Sequence, residues 1–158
     1  MISELCQRFE SHLSEYEADS QDWGDGLGYD ISAQLLREFQ TEDWAYISQI
    51  WATKEKHWRE CFISSLDPSL GTTADYLLIS ALDDPDIDVA FDALREITFY
   101  CGINADKNGP FLDKSILNLS FRERVRGTDN IIEKIKYINA HCDSIFQASH
   151  NLLLKELM

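Results

Sequence analysis

Apolar residues recur along this chain at intervals of three and four, the spacing that places them on one face of an α-helix. Leu5, Phe9 and Leu13 mark a first helix over about residues 2–18. Later stretches with the same spacing begin beside residues that cap helix N-termini, namely Thr41, Thr72, Asp86 and Thr128. Strand signals are scarce, because no run alternates strictly and Asn108-Gly109 is followed by Pro110. The pattern predicts an all-α protein with essentially no sheet.

The last predicted helix is the longest. From Thr128 onward an apolar seam runs from Ile131 to Leu152 in alternating steps of four and three residues. This spacing permits a coiled coil. Ile132 and Phe146 widen the apolar face, however, which favours a single long helix packed against the rest of the protein.

Turn-forming residues divide the remaining chain. Residues 19–30 contain three glycines and residues 103–110 are rich in turn formers, so both segments are predicted to be loops. Seven or eight helices in antiparallel succession remain. With short links, they predict helical hairpins that form either a bundle or a short solenoid. A chain of 158 residues fits a single domain, residues 1–158, with a sizeable core.

The net charge of −14 is unevenly distributed. Residues 1–30 carry eight acids against one arginine, and residues 61–105 carry eight acids against another. Residues 106–158 carry eight bases and seven acids. A negative surface repels phosphate backbones and anionic lipids, so the charge argues against nucleic-acid and membrane binding. It would accelerate encounter with a basic protein. The alternative is that the acids only confer solubility.

Targeting signals and disulfide patterns are weak in this sequence. Apolar runs reach only three or four residues, and the N-terminal Met1–Glu4 lacks a basic n-region, so neither a membrane span nor a signal peptide is expected. Four widely spaced cysteines, at positions 6, 61, 101 and 142, form no CxxC motif. We expect reduced, mostly buried thiols in a cytoplasmic protein.

Motifs for cofactors and catalysis do not emerge. The segment Gly24-Asp25-Gly26-Leu27-Gly28 follows no predicted strand and lacks the Lys-Ser/Thr of a phosphate loop, and Trp23 breaks the pattern of a calcium loop. His57 and Cys61 could share a helix face and form a zinc set with His141 and Cys142, but adjacent ligands on a helix point about 100° apart and no paired-ligand motif is present. Each cysteine also falls within an apolar stripe. We therefore expect no enzymatic activity, no cofactor and no metal.

Two acidic segments are the candidate partner-binding sites. The first is the glycine-rich loop, where aromatic side chains lie among carboxylates, as in interface hot spots; its residues are Asp22, Trp23, Asp25, Tyr29 and Asp30. A flexible connection is the plainer interpretation of this loop. The second segment is a carboxylate cluster, part of which is explained by capping of a helix N-terminus; its residues are Asp83, Asp84, Asp86, Asp88 and Asp92. Arg122, Arg124 and Arg126 form a basic patch that is either solvated or paired with those acids.

The segment from Leu82 to Val89, with Asp84-Pro85 at its turn, resembles the inter-helix turn of a HEAT repeat. Ala93 and Ile97 follow at helix-contact positions, whereas Ala90 replaces the usual arginine. In size, acidity and aromatic content the chain resembles bacterial immunity proteins. That resemblance implies a protein that neutralises a cognate toxin domain, often a basic nuclease. The rival hypotheses are a helical scaffold without a toxin partner and an enzyme without a short motif.

Overall fold

The computed structural model describes residues 2–18 and 20–158, and α-helices dominate it. Within those residues the α-helices are α1 (Glu4–Leu13), α2 (Gln21–Gly24), α3 (Gly28–Arg37), α4 (Thr41–Ile50), α5 (Lys56–Ser65), α6 (Thr72–Ser80), α7 (Ile87–Tyr100), α8 (Leu119–Arg126), α9 (Ile131–Asn139) and α10 (Ser144–Leu157). Short 3-10 turns cover Trp51–Thr53, Pro68–Leu70 and Ala81–Asp83. The predicted all-α class is confirmed.

The chain forms two compact units, Met1–Leu66 and Asp67–Met158, called unit 1 and unit 2 below. Unit 1 contains α1 to α5, and unit 2 contains α6 to α10. The choice between a solenoid and a bundle, and the assignment of a single domain, stay predictions.

Unit 1 is built around aromatic side chains. Phe9 on α1 meets Phe39, Trp58 and Phe62 edge-on, with ring centroids 5.3, 6.1 and 6.0 Å away. All four side chains are buried. Edge-to-face pairs of this kind add stability beyond the burial of their area. Phe9, one of the periodic apolar residues of α1, therefore anchors this helix to the core of unit 1.

A polar contact also ties α1 to the rest of unit 1. The Tyr46 hydroxyl donates to Glu10 Oε1 at 2.6 Å, and Lys54 Nζ donates to Glu10 Oε2 at 2.6 Å. Trp58 Nε1 donates to the Glu10 carbonyl oxygen at 3.1 Å. Burial raises the pKa of Glu10, but the hydrogen bonds from Lys54 and Tyr46 outweigh burial and leave that pKa lowered. Glu10 is thus held as a carboxylate.

In unit 2, α7 contacts α6, α9, α10 and the hairpin described below. Its apolar residues Val89, Ala93, Leu94 and Ile97 are buried. Asp86 caps this helix as predicted, because its side chain accepts a hydrogen bond from the Asp88 amide at 2.9 Å. The helix is therefore the scaffold on which the acids of residues 83–92 are displayed.

The prediction of a loop over residues 103–110 is wrong. β1 (Ile103–Asp106) pairs antiparallel with β2 (Gly109–Leu112). The turn is closed by Asp106, which accepts from the Asn108 amide at 2.7 Å, and by Gly109 at φ +108°. An isolated two-stranded hairpin is marginal in water. Here α10 packs on both strands and α7 packs on β1, so the pairing depends on tertiary contacts.

The single long C-terminal helix is also wrong, because α9 ends at Asn139 and α10 begins at Ser144. The side chain of Gln147 donates to the Asn139 and Cys142 carbonyl oxygens at 3.2 and 3.0 Å, which satisfies the end of α9. Asn139 Oδ1 accepts from His150 Nδ1 at 2.9 Å. The apolar seam continues through this break, yet Ile145 is 77% exposed.

Three of the predicted caps are displaced. Gly71 and Gln40 hold the N-cap positions of α6 and α4, one residue before the predicted threonines. Asn130, in the left-handed region at φ 59°, precedes α9 in place of Thr128. The Thr128 hydroxyl instead donates to the Arg124 carbonyl oxygen at 2.9 Å and so belongs to the end of α8.

Candidate partner-binding surface

The acids of residues 83–92 are presented by the turn between α6 and α7 and by the first turns of α7; Asp83, Asp84, Asp86, Asp88 and Asp92 are together called the acidic edge. Asp84 Oδ1 accepts from the Asp86 amide at 2.9 Å, and Asp86 in turn caps α7. These two side chains are half-buried, whereas Asp83 and Asp88 are exposed. Two of the five aspartates, Asp84 and Asp86, thus accept hydrogen bonds from backbone amides at the start of α7, as the sequence indicated.

Lys134 and Arg95 are basic side chains that contact the acidic edge. Lys134 Nζ on α9 lies 2.9 Å from Asp83 Oδ2. Arg95 Nη2 lies 3.6 Å from Asp92 Oδ1, one turn along α7. Neither base fully offsets the surplus of carboxylates at this end of unit 2. With five aspartates against these two bases, the acidic edge has a negative formal charge.

Two grooves meet at the Asp83–Lys134 ion pair. The first, of about 560 Å³, is bordered by Tyr76, Arg124 and Thr128. The second, of about 340 Å³, is bordered by Tyr137 together with further carboxylates. Asp83 and Lys134 line both grooves. Tyr76 and Tyr137 are 62% and 64% exposed. Tyrosine is among the residues most enriched at interface hot spots, so the exposed tyrosine beside each groove makes this surface a candidate for partner binding.

A third, smaller pocket continues this surface. The Tyr137 ring lies 4.7 Å, centroid to centroid, from the His141 ring, and His141 Nδ1 donates to the Tyr137 carbonyl oxygen at 2.7 Å. His141 also lines a pocket of about 260 Å³, whose other lining residues are Ile87, Asp88, Phe91, Cys142, Asp143 and Phe146. This cavity, called the α7–α10 pocket, lies where α9 breaks before α10. The three depressions therefore form one continuous surface of unit 2.

The arginine cluster is paired with other acids than those of the acidic edge. Arg124 Nη1 lies 2.8 Å from Asp75 Oδ2, and Arg126 bonds Glu123 and the Glu156 carbonyl oxygen. Burial raises the pKa of Asp75, against the lowering effect of Arg124. The ion pair that Arg124 forms is therefore not with the acids of residues 83–92, the partners that one of the two sequence-based interpretations expected. Its partner is Asp75, which the sequence did not single out.

The glycine-rich segment in unit 1 differs from the predicted loop. Residues 21–24 form α2, and α3 begins at Gly28. Trp23 is only 3% exposed, and its ring lies 5.8 Å from Tyr16 and 6.1 Å from Tyr29. The expectation that this segment presents Trp23 to a partner is therefore wrong, because burial of the indole within unit 1 removes it from the surface.

Close packing requires two glycines of this segment, Gly26 and Gly28. A Cβ atom at Gly28 would lie 2.9 Å from Trp23 Cε3, and one at Gly26 would lie 2.4 Å from the Asp22 carbonyl oxygen. The segment thus packs closely around the buried Trp23 side chain. The remaining candidates stay predicted partner contacts: Asp22, Asp25 and Asp30 are exposed and Tyr29 is half-buried.

Sequence reasoning missed several residues of the unit 2 surface. Tyr76 begins a run of four consecutive large residues, Tyr76 to Ile79, which cannot all face one core at about 100° per residue, and this was a usable signal of exposure. Tyr137 falls outside the seam marked by Ile135 and Ile138, which was a usable signal of exposure. The α7–α10 pocket had no such signal, because it depends on the break before α10.

Within residues 2–18 and 20–158, no group of three or more His, Cys, Asp or Glu side chains is arranged to hold a metal ion. In the same part of the chain, no helix has both the length and the hydrophobicity needed to span a bilayer. All four cysteines are free, and Cys142 alone among them is not fully buried. Burial raises the pKa of this thiol, and Asp143 raises it further, which disfavours the nucleophilic thiolate.

Comparison with known proteins gave no relative: no protein-family model, no curated protein and no solved structure matches the chain.

Proposed function

We propose that this chain binds a basic protein through the acidic edge and the grooves beside it, and that it neutralises this partner in the manner of bacterial immunity proteins. The observation that carries the proposal is the imbalance of charge around the three depressions. Five carboxylates line them, from Asp83, Asp84, Asp88, Glu133 and Asp143. The bases that line them are Lys134 and Arg124, and Arg124 is paired with Asp75.

Charge of this kind acts first on the rate of encounter. A negative patch attracts a positive partner over a distance set by ionic screening, about 8 Å at physiological ionic strength. Steering can raise an association rate by orders of magnitude, and salt weakens it. A carboxylate surface also competes with phosphate groups for the same basic side chains. A nuclease-type toxin covered in this way would lose access to its nucleic acid.

Aromatic burial would then hold the complex together. Tyr76 and Tyr137 are largely exposed in the free chain and stand on either side of the Asp83–Lys134 pair. Tyrosine is among the residues most enriched at hot spots, because it buries a large rigid surface and keeps a polar tip. These two side chains replace Trp23 as the proposed anchors.

The α6–α7 hairpin also supports the HEAT-like part of the proposal. The Asp84-Pro85 turn joins two helices that contact each other, and the small residues Ala90 and Ala93 of α7 are buried. Small residues allow close approach of neighbouring helices. In such a hairpin the inter-helix turn projects from one edge of the helix pair, and the residues of the acidic edge lie at and beside this turn.

The experiment is a kinetic binding assay against the protein encoded next to this chain's gene, run at several salt concentrations. Asp84→Lys and Asp88→Lys should slow association at least tenfold at low salt and change dissociation less. Glu38→Lys is the matched control, since it makes the same charge change at the exposed residue that directly follows α3. If all three charge reversals slow association equally, the acidic edge affects association only through the net charge of the protein and is not the binding site.

Other outcomes separate the rival functions. Binding without inhibition of the partner favours a helical scaffold. Absence of binding removes the immunity hypothesis and leaves the fold untouched. The predicted contacts on unit 1 are tested in the same assay by Asp22→Lys and Asp25→Lys, which should behave as Glu38→Lys does if the segment takes no part.

A further inference from the structure

The α7–α10 pocket differs from the two tyrosine-bordered grooves in the chemistry of its walls. Phe91 and Phe146 meet edge-on in it, with centroids 5.0 Å apart and planes at 74°. Ile87 adds an aliphatic side chain to this apolar part of the lining. The cavity of about 260 Å³ is smaller than a typical drug-sized site, which begins at about 300 Å³. It is of a size suited to one long side chain.

Carboxylates supply all the formal charge of the pocket lining. Asp88, from the first turn of α7, and Asp143, which precedes α10, both line it, and neither lysine nor arginine does. Both aspartates are exposed, so their carboxylates remain in contact with solvent at the rim. An apolar aromatic lining with acids at its opening is complementary to a side chain that has an apolar stem and a cationic head.

Between the two cationic side chains, arginine matches this pocket better. A guanidinium group stacks on aromatic faces and forms paired hydrogen bonds with carboxylates, while it is more weakly hydrated than an ammonium group. Lysine offers a compact and strongly hydrated charge that gives up its water less readily. The edge-on phenylalanine pair therefore favours a planar cation.

We propose that the α7–α10 pocket receives an arginine side chain of the basic partner, with the guanidinium group against Phe91 and Phe146 and held by Asp88 and Asp143. The inference rests on the proposed function, because Asp88 belongs to the acidic edge. The pocket is continuous with the tyrosine-bordered surface through the Tyr137–His141 contact. An arginine seated there would fix the orientation of a partner that the wider acidic surface only attracts.

The test uses the isolated chain and small probes, so that it does not depend on finding the partner. N-acetyl-arginine methylamide is titrated into ¹⁵N-labelled protein and followed by amide chemical shifts, with the lysine and norleucine analogues in parallel. We expect saturable shifts at residues 87–91 and 141–146 at millimolar concentrations. The lysine analogue should bind at least threefold more weakly, and the norleucine analogue should give no saturable shifts.

The variants localise the effect. Asp88→Asn combined with Asp143→Asn should weaken arginine binding at least tenfold, and Phe146→Leu should reduce the preference for arginine over lysine. Asp129→Asn is the control, since Asp129 is an exposed acid of unit 2 that lines none of the three depressions. Preserved dispersion of the amide spectrum confirms folding of each variant.

The outcomes distinguish this inference from the proposed function. Shifts scattered over other acids, equal binding of arginine and lysine, or an unaltered response of the double variant would each overturn the arginine pocket. The proposed function would survive that result if the kinetic assay still showed salt-dependent binding through Asp84. Conversely, a saturable arginine response without binding of the neighbouring gene product would support the pocket and overturn the proposed partner.

Discussion

Lys134 on α9 forms an ion pair with Asp83 at 2.9 Å and thereby occupies one carboxylate of the acidic edge. We predict that Lys134→Ala accelerates association with the basic partner about two- to threefold at low salt, because it removes the cation paired with Asp83 and makes the net charge one unit more negative. Stability should fall by less than about 1 kcal/mol, as for most exposed ion pairs. Lys136→Ala, at an exposed position two residues away, is the control for net charge. An equal acceleration by both variants would show that Asp83 has no special part.

Tyr76 and Tyr137 should contribute to binding and hardly to folding. Each tyrosine is more than 60% exposed, so truncation removes little buried area from the free chain. Tyr76→Ala and Tyr137→Ala should each weaken the complex by roughly 2 kcal/mol and change the free energy of unfolding by less than about 0.5 kcal/mol. Titration calorimetry and urea unfolding measure the two quantities. Leu119→Ala removes a side chain of similar exposure from α8 and should leave affinity unchanged.

Trp23 should show the reverse behaviour. Its indole is buried against Tyr16, Tyr29 and Gly28, so Trp23→Ala should destabilise unit 1 by about 3 kcal/mol, in the range found for large-to-small changes in cores. Trp23→Phe keeps part of the contact and should cost less. Urea unfolding followed by far-UV circular dichroism is the measurement. A loss of less than 1 kcal/mol for the alanine variant would contradict the buried placement.

Glu96 on α7 should make the protein less stable as the pH rises. Burial raises the pKa of Glu96 to about 7, with Arg95 lowering it and Asp67 raising it. The native state therefore binds this proton more tightly than the unfolded chain, and stability is lost as the pH rises from about 4.5 through 7. Glu96→Gln should be more stable than the parent at pH 8 by roughly 2 kcal/mol, and this difference should shrink towards pH 5. A difference that is constant with pH would contradict the assignment.

His150 should act in the opposite direction. Burial lowers the pKa of His150 to about 4, and the ring lies between Asn139 and Phe91. The unfolded chain binds this proton near pH 6.5, so stability is complete above that pH and falls as the pH drops towards 4. His150→Gln should be less stable than the parent at pH 8. As the pH drops towards 4, its free energy of unfolding should fall by roughly 2 kcal/mol less than that of the parent. Measurement in the Glu96→Gln background isolates the histidine, because the two groups titrate over overlapping ranges with opposite sign.

The sequence by itself determined the helical class of this protein and most positions of its helices. A period near 3.6 residues depends on local geometry, so Phe9 in α1 and Val89 in α7 could be assigned to buried faces without knowledge of their neighbours. The cap at Asp86 is equally local, since its side chain bonds an amide two residues away. The concentration of acid at residues 83–92 was likewise visible in the sequence, because charge needs no fold to be counted.

The tertiary structure alone decided which of those residues share a surface. The break before α10 depends on Asn139, Gln147 and His150, which meet only when α9 and α10 pack together. The hairpin at 103–112 is held by α10, and Trp23 is buried by residues on either side of it along the chain. The partner of Asp83 is Lys134, 51 residues away, and not the nearer arginine cluster. Contacts of this kind are selected by packing of the whole unit, and a local pattern of polar and apolar residues does not encode them.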